Sequence, residues 1–360
     1  MPKQASPAPR REKPSASGLS HGGNDLPSVV VESYNLELRD QNGFIGDRAS
    51  RSAFNAKLDD WRSRLRKVGT DPLGDAASED LSKKQLDALM KGDDATAAAL
   101  VHGAIEDFAQ ELAKVIRRFI RTNGWKNVER IAAGGGFKES QIGELAIARA
   151  DVLLKAEGMA IDVQPIHHHP DEAGLIGSAH LLPAWMLAGH DALLAVDIGG
   201  SNIRVGVIEL NLKKHPDLSR ATVWKSDLWR HAEDDPSRTA TLKTMVDMLE
   251  TLIAKAEKAG LALAPIIGIG CPGIIKADGS IDRGGQNLPG GNWESQNFNL
   301  PQALKAAIPS IGGHETCTVM HNDAVVQGLA EVPFMQDVKH WAVVTIGTGL
   351  GNASFRNRSD

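Results

Sequence analysis

Cysteine is nearly missing from this chain of 360 residues: it has Cys271 and Cys317 and no others. Two thiols cannot build a disulfide framework, so a reducing compartment, the cytoplasm, is the expected location. Aromatic residues are sparse too, 4% with a single Tyr. No apolar run approaches the roughly 18 residues of a membrane span, which argues against a membrane partner. Cations are not in excess: the formal net charge is −5, so a general nucleic-acid surface is not expected. What remains is the composition of an ordinary globular protein, 42% apolar and 24% charged, long enough for two domains. Residues 1–27 are rich in Pro, Ser, Gly and charge and are expected to form a disordered tail. Their basic cluster at Arg10-Arg11 has no apolar h-region and does not read as a secretory signal.

Periodicity organises the rest. Helices are expected at 53–68, 94–122, 142–156, 239–259 and 301–307. The second of these is the clearest, with Leu100, Val101, Ile105, Phe108, Leu112, Val115 and Phe119 on one face and Asn123-Gly124 as its stop. Short apolar runs near 128–133, 160–163, 192–196, 265–270, 318–320 and 341–346 read as strands. Their alternation with helices implies βαβ units and a largely parallel sheet.

Four motifs stand where such strands end. They are Asp197-Ile198-Gly199-Gly200-Ser201-Asn202, Gly270-Cys271-Pro272-Gly273, Asn322-Asp323 and Gly347-Thr348-Gly349-Leu350-Gly351. A strand tip exposes backbone N–H groups, and Gly lets a phosphate reach them. Two such loops with acidic residues between them suggest one nucleotide site built from two halves. Each has a bland alternative: a hairpin turn for Asp197–Ser201, a small-residue loop for Gly347–Gly351, and an N-cap for Asp323. His167-His168-His169 invites a metal reading, but no second cluster stands at zinc spacing, and an exposed loop before Pro170 is expected.

In their order and content these motifs resemble the ROK family, the sugar-kinase branch of the actin-like ATPase superfamily. The resemblance implies an α/β fold of the actin-like ATPase type, two-lobed, with ATP and Mg²⁺ as cofactors and a sugar as substrate. It implies phosphate contacts from Asp197, Gly199, Gly200, Ser201 and Asn202 on one side and from Gly347, Thr348, Gly349 and Gly351 on the other. Asp197 would hold Mg²⁺ through water. Asp323 would be the general base that takes a proton from a sugar hydroxyl. Asn322, together with Asn287, Gly290 and Glu294 of the Asn-Leu-Pro loop, would bind the sugar. Gly134, Gly135 and Gly136 would form the adenosine-side loop.

The motif order is unusual, because material like the family's second lobe precedes the first phosphate loop. The simplest reading is a circular permutation. Its parts would be a tail at 1–27, a displaced C-terminal-type lobe at 28–188, an N-terminal-type lobe at 189–335, and the first strands of the second lobe at 336–360. Two family features are missing, a cysteine zinc motif and a Glu-x-Gly-His sugar segment. Permutation would place the latter near 352–360 and 28–48. The first reading is therefore an ATP-dependent hexose kinase, and the second a non-catalytic sugar- or nucleotide-binding regulator. An actin-type filament is disfavoured by the Asn-Asp pair and the Asn-Leu-Pro loop. Partners are expected to be a small sugar, no nucleic acid and no membrane, with a homodimer as the assembly to test.

Overall fold

The computed structural model describes residues 20–358, apart from Asn42 and Asn287. The strands that carry the architecture are β1 Val29–Tyr34, β2 Arg130–Gly134, β3 Asp162–Pro165, β4 Ala192–Ile198, β5 Ile203–Glu209, β6 Thr222–Trp229, β7 Leu263–Cys271, β8 Cys317–Asn322, β9 His340–Ile346 and β10 Leu350–Asn357. The main helices are α1 Arg51–Arg66, α2 Lys83–Lys91, α3 Ala95–Phe119, α4 Gln141–Ala156, α5 Pro170–Ile176, α6 Arg238–Lys258, α7 Leu300–Ala307 and α8 Asp323–Leu329. Helices begin where a short polar side chain satisfies orphan backbone N–H groups. Ser50, Ser82, Asp94, Ser140, Ser237, Asn299 and Asn322 cap α1 to α4 and α6 to α8 in this way.

The strands form two five-stranded sheets, ordered β6-β5-β4-β7-β8 and β1-β10-β9-β2-β3. The pattern of directions is the same in both. The first three strands are antiparallel neighbours, and the last two run parallel to the third. The threading differs. The β4 sheet is laid down in chain order from its centre. The β9 sheet starts at its edge strand β1, continues with β2 and β3, and receives its centre from the far end of the chain. Val29 thus pairs with Asn357, and Trp341 with Arg130.

Three apolar clusters make five layers. One holds α1, α3 and α4 on the outer face of the β9 sheet through Phe54, Phe108, Ile131 and Val344. Another holds α6 and α7 on the outer face of the β4 sheet through Leu249, Leu304 and Ile267. Between the sheets lies the third, where Leu175 and Ile176 of α5 and Val325, Val326 and Leu329 of α8 meet Leu193, Ile266, Trp341 and Val343. The two helices approach closely. A Cβ on Gly177 would lie 1.7 Å from the Val326 carbonyl oxygen, so only glycine fits there.

Residues 20–27 do not belong to the tail expected at 1–27. Gly22 N–H donates to Met320 O at 2.9 Å, and Leu26 is buried, so residues 20–27 are tied to both sheets. Residues 1–19 lie outside the described part. Helix α2 and the Arg39–Asp40/Gly43–Phe44 hairpin were not expected from periodicity, being too short to show it.

Candidate active site

The site lies at the carboxyl ends of β4, β7, β8 and β9. Two hairpins frame it. Gly199 N–H donates to Asn202 O at 2.8 Å where β4 turns into β5, and Gly347 N–H donates to Gly349 O at 3.0 Å where β9 turns into β10. A Cβ on Gly200 or Gly349 would meet nothing within 4 Å, so both loops face open space. Their side chains meet, with Ser201 Oγ 3.4 Å from Thr348 Oγ1. A buried histidine steadies the first hairpin: the His231 ring nitrogen Nε2 lies 3.0 Å from Gly199 O.

Gly134, Gly135 and Gly136 follow β2, the parallel neighbour of β9. They sit beside the second hairpin, at the ends of adjacent strands. Gly135 has φ +84°, and a Cβ there would lie 2.4 Å from the Ile346 carbonyl oxygen, so a side chain is excluded both by conformation and by space. Lys83 at the start of α2 holds this loop, donating to Gly136 O at 2.8 Å and pairing with Glu139.

Two carboxylates lie beneath the hairpins. Asp323 is the first residue of α8, and burial together with the nearby Asp197 carboxylate raises its pKa to about 7. Burial also raises Asp197, against the pull of Arg204, whose guanidinium is 4.0 Å away and is ion-paired with Asp171. Cys271 sits near both, and burial and their charge push its thiol well up, which keeps it a small neutral core residue. A Cβ on Gly174 of α5 would lie 2.6 Å from Asp197 Cγ, so this helix seals the floor under the carboxylate. A Cβ on Gly351 would approach the Ala324 Cβ to 3.2 Å, which brings the second hairpin to the start of α8. Two acidic groups with one nearby guanidinium leave negative charge that a divalent cation would balance. Together with the open glycine hairpins, this donor set fits Mg²⁺ and a nucleotide triphosphate.

The helix cap is Asn322 rather than Asp323. Asn322 Oδ1 accepts from Ala324 N–H at 3.0 Å and Val325 N–H at 3.3 Å, while Nδ2 donates to Gly273 O at 3.0 Å. Its amide makes these three bonds within the fold and the residue is buried. Its backbone N–H donates to His321 Nδ1 at 2.7 Å, and His321 Nε2 lies 3.2 Å from Gly23 O. The His321 pKa falls to about 4 by burial, so the neutral ring links the segment at 20–25 to the cap of α8.

The loop expected to bind sugar is well built. Trp293 is buried and its Nε1 donates to Pro289 O at 2.7 Å. Glu294 accepts from Gly285 N–H at 2.8 Å, which makes it a staple across the loop. Gly290 packs on the start of α6, where a Cβ would lie 2.1 Å from Arg238 N. Asn287 lies outside the described residues. The loop begins beside the Pro-Gly turn, since a Cβ on Gly284 would lie 2.8 Å from Gly273 Cα and 3.3 Å from Asn35 Nδ2. Asn35, with φ +48°, follows β1 and is held by the bond from its N–H to Asn352 O at 3.0 Å. Val29 and Asn357 pair at the end of the sheet away from the hairpins.

Arg204, Asp171, His231 and Lys83 were missed from the sequence. Each is an isolated polar residue whose site contact comes only from tertiary approach. In the His167–His169 run the first ring is already engaged. His167 Nδ1 lies 2.7 Å from the buried Glu331 carboxylate, which holds the ring's pKa up, and the ring stacks on Phe334. Among the described residues, Glu139, His169 and Asp171 come within 4.8 Å of one another, but Lys83, the Asp171 N–H and Arg204 already engage them. No described helix is long and apolar enough to cross a membrane.

The family model described as "ROK family" matches residues 193–359. Among solved structures, one similar chain is a Listeria monocytogenes protein named as a candidate N-acetylmannosamine kinase, with 24% identity, 46% of this chain and 47% of that one covered, and a TM-score of 0.33. Another is a ROK hexokinase from Thermus thermophilus, with 20% identity, 45% of each chain covered and a TM-score of 0.32. This chain thus spans about half the length of the solved relatives it matches. No curated protein matches it. The two sheets combine parallel and antiparallel strands, and residues 193–359 match the ROK family model.

Proposed function

We propose that this protein is an ATP-dependent sugar kinase that phosphorylates a hydroxyl of a hexose or hexose derivative. The observation that carries the reading is the convergence of Asp323 and Asp197 beneath two glycine hairpins that touch through Ser201 and Thr348. A carboxylate with a pKa of about 7 is matched to accepting a hydroxyl proton near neutral pH. In this reading Asp323 takes that proton, and the backbone N–H groups at the two hairpin tips, Gly200–Ser201 and Thr348–Gly349, hold the phosphate chain. Asp197 would hold Mg²⁺ through water, and the ion would supply charge neutralisation at the phosphoryl group. Gly134–Gly136 with Lys83 forms the adenosine side. Asn35 and Gly290 line the acceptor side, Asn287 is an expected sugar contact, and Asn322 and Glu294 position the acceptor side.

The shared strand pattern of the two sheets supports a permuted kinase, with 28–188 and 336–360 together forming one lobe and 189–335 the other. A second reading, a binding regulator without turnover, is favoured by one observation: Asn322 and Glu294 spend their polar groups on the fold. An ADP-release screen across hexoses, amino sugars and N-acetylated sugars separates the two. Sugar-dependent ADP release supports the kinase. Sugar or ATP binding without release supports the regulator.

A further inference from the structure

Residues of α3 and just beyond it, together with Asp40, Ile45 and Arg48, line a cavity of about 250 Å³. Its rim carries Arg48, Lys114, Arg117, Arg118 and Arg121 against the carboxylates Asp40 and Glu111. Its floor is apolar, formed by the buried Ile45 and Val115. In a chain whose net charge is −5, this is a local reversal of sign.

Part of the positive charge is already neutralised. Arg48 pairs with Asp40 at 2.6 Å, Lys114 with Glu111 at 2.8 Å, and Arg117 with Glu157. Among the described residues, Arg118 and Arg121 have no ion-pair partner, and both are exposed at the rim. Basic residues in the last turn of a helix can serve its dipole alone. That account covers Arg117 and Arg118, but not Arg121 beyond the helix, nor Arg48 on the opposite wall. Guanidinium groups converging on one concavity suit a phosphate dianion, and an apolar floor suits the face of a ring attached to it.

The opposite wall is continuous with the active site. Ile45 and Arg48 belong to a turn at 45–49 that leads through Ser50 into α1. Arg51 N–H donates to Gly347 O at 2.9 Å, and a Cβ on Gly46 would touch Leu350 Cβ at 3.4 Å. The segment that carries Arg48 therefore braces the second hairpin from behind.

We propose that this cavity is a second ligand site that takes a phosphorylated, ring-bearing small molecule such as a sugar phosphate. Its occupancy is transmitted through the segment at 45–51 to the hairpin at 347–349. The site is separate from the acceptor and nucleotide sites of the proposed kinase. Its binding test does not depend on turnover, so it can fail while the kinase reading stands, and the reverse.

The test is calorimetric titration of the full chain with glucose 6-phosphate, inorganic phosphate and glucose, on wild type and on the Arg118→Glu/Arg121→Glu double variant. Both side chains are exposed, so the variant should stay folded, with its melting temperature lowered slightly by the charge reversal at the end of α3. Wild type should bind glucose 6-phosphate at millimolar or lower concentration. The variant should bind at least about tenfold more weakly, and raised salt should weaken the wild-type binding. Glucose 6-phosphate should also change amide hydrogen exchange at 347–349 in wild type and not in the variant. Equal affinity in the two proteins, or no binding to wild type, overturns the site. Inorganic phosphate binding as tightly as glucose 6-phosphate overturns recognition of the ring, and an unchanged hairpin overturns the transmission.

Discussion

The two sheets have one pattern of strands and two ways of being threaded. The β4 sheet is traced consecutively and carries the acidic residues, Asp197 at the end of β4 and Asp323 just after β8. The β9 sheet is joined from both ends of the described chain and carries the second hairpin and Gly134–Gly136. Chain order therefore has little hold on the final sheet. Strand pairing, burial and the close helix pair α5/α8 determine it, and the same strand order is reached from two entry points. The comparison also divides the labour of the proposed reaction, with proton transfer on one sheet and much of the nucleotide binding on the other.

The largest expected effect tests that division. Asp323→Asn should lower sugar-dependent ADP release by about 10²- to 10⁴-fold while ATP affinity stays within about twofold. Steady-state turnover and calorimetry check it. The same variant has a consequence for stability. A carboxylate whose pKa is raised on folding stabilises the fold fully below its unfolded value, and that contribution is lost as pH rises through the folded value of about 7. Asp323→Asn should therefore melt higher than wild type at pH 8, and the advantage should vanish toward pH 4. An unchanged difference across this range would contradict the buried environment assigned to Asp323.

Next in size are the hairpins. Gly200→Val and Gly349→Val each place a side chain where a phosphate would approach, and each should weaken ATP binding by about tenfold or more. The two losses should be similar, because both sheets contribute phosphate contacts. If one variant binds ATP normally, the sheet it belongs to has no share in the nucleotide site.

A smaller effect is expected at the helix pair. Gly177→Ala sets a methyl against the Val326 backbone and should cost about 1–3 kcal/mol, read from denaturant midpoints. Smaller or equal is His321→Leu, which leaves the buried Asn322 N–H without its acceptor, at about 1–3 kcal/mol. It should also increase amide exchange at Ala324 and Val325. Unchanged exchange there would mean that the ring does not hold the cap.

The β4 sheet was the more legible of the two. Its hairpin, its strand ends and the Asn-Asp pair are local signals, readable because glycine and short polar residues have few other uses at a strand tip. The choice between Asn322 and Asp323 as helix cap was not readable, since both suit the position and only the Gly273 carbonyl and the His321 ring decide it. In the β9 sheet, α3 was plain from its apolar face. The register that joins Val29 to Asn357 was not, because strand pairing across more than three hundred residues leaves no local trace. Arg62 shows the same limit. Its buried guanidinium binds Asp71, Ser78 and the carbonyls of Gly74 and Ala76, and so shapes a loop that periodicity alone leaves blank.

The most direct measurement on the central claim, one nucleotide site drawn from two sheets, is amide hydrogen exchange of the full chain with and without ATP·Mg²⁺. Protection should rise together at 197–202, 347–351 and 134–136, with one dependence on ATP concentration. Protection confined to one hairpin, or absent from all three segments, would contradict it.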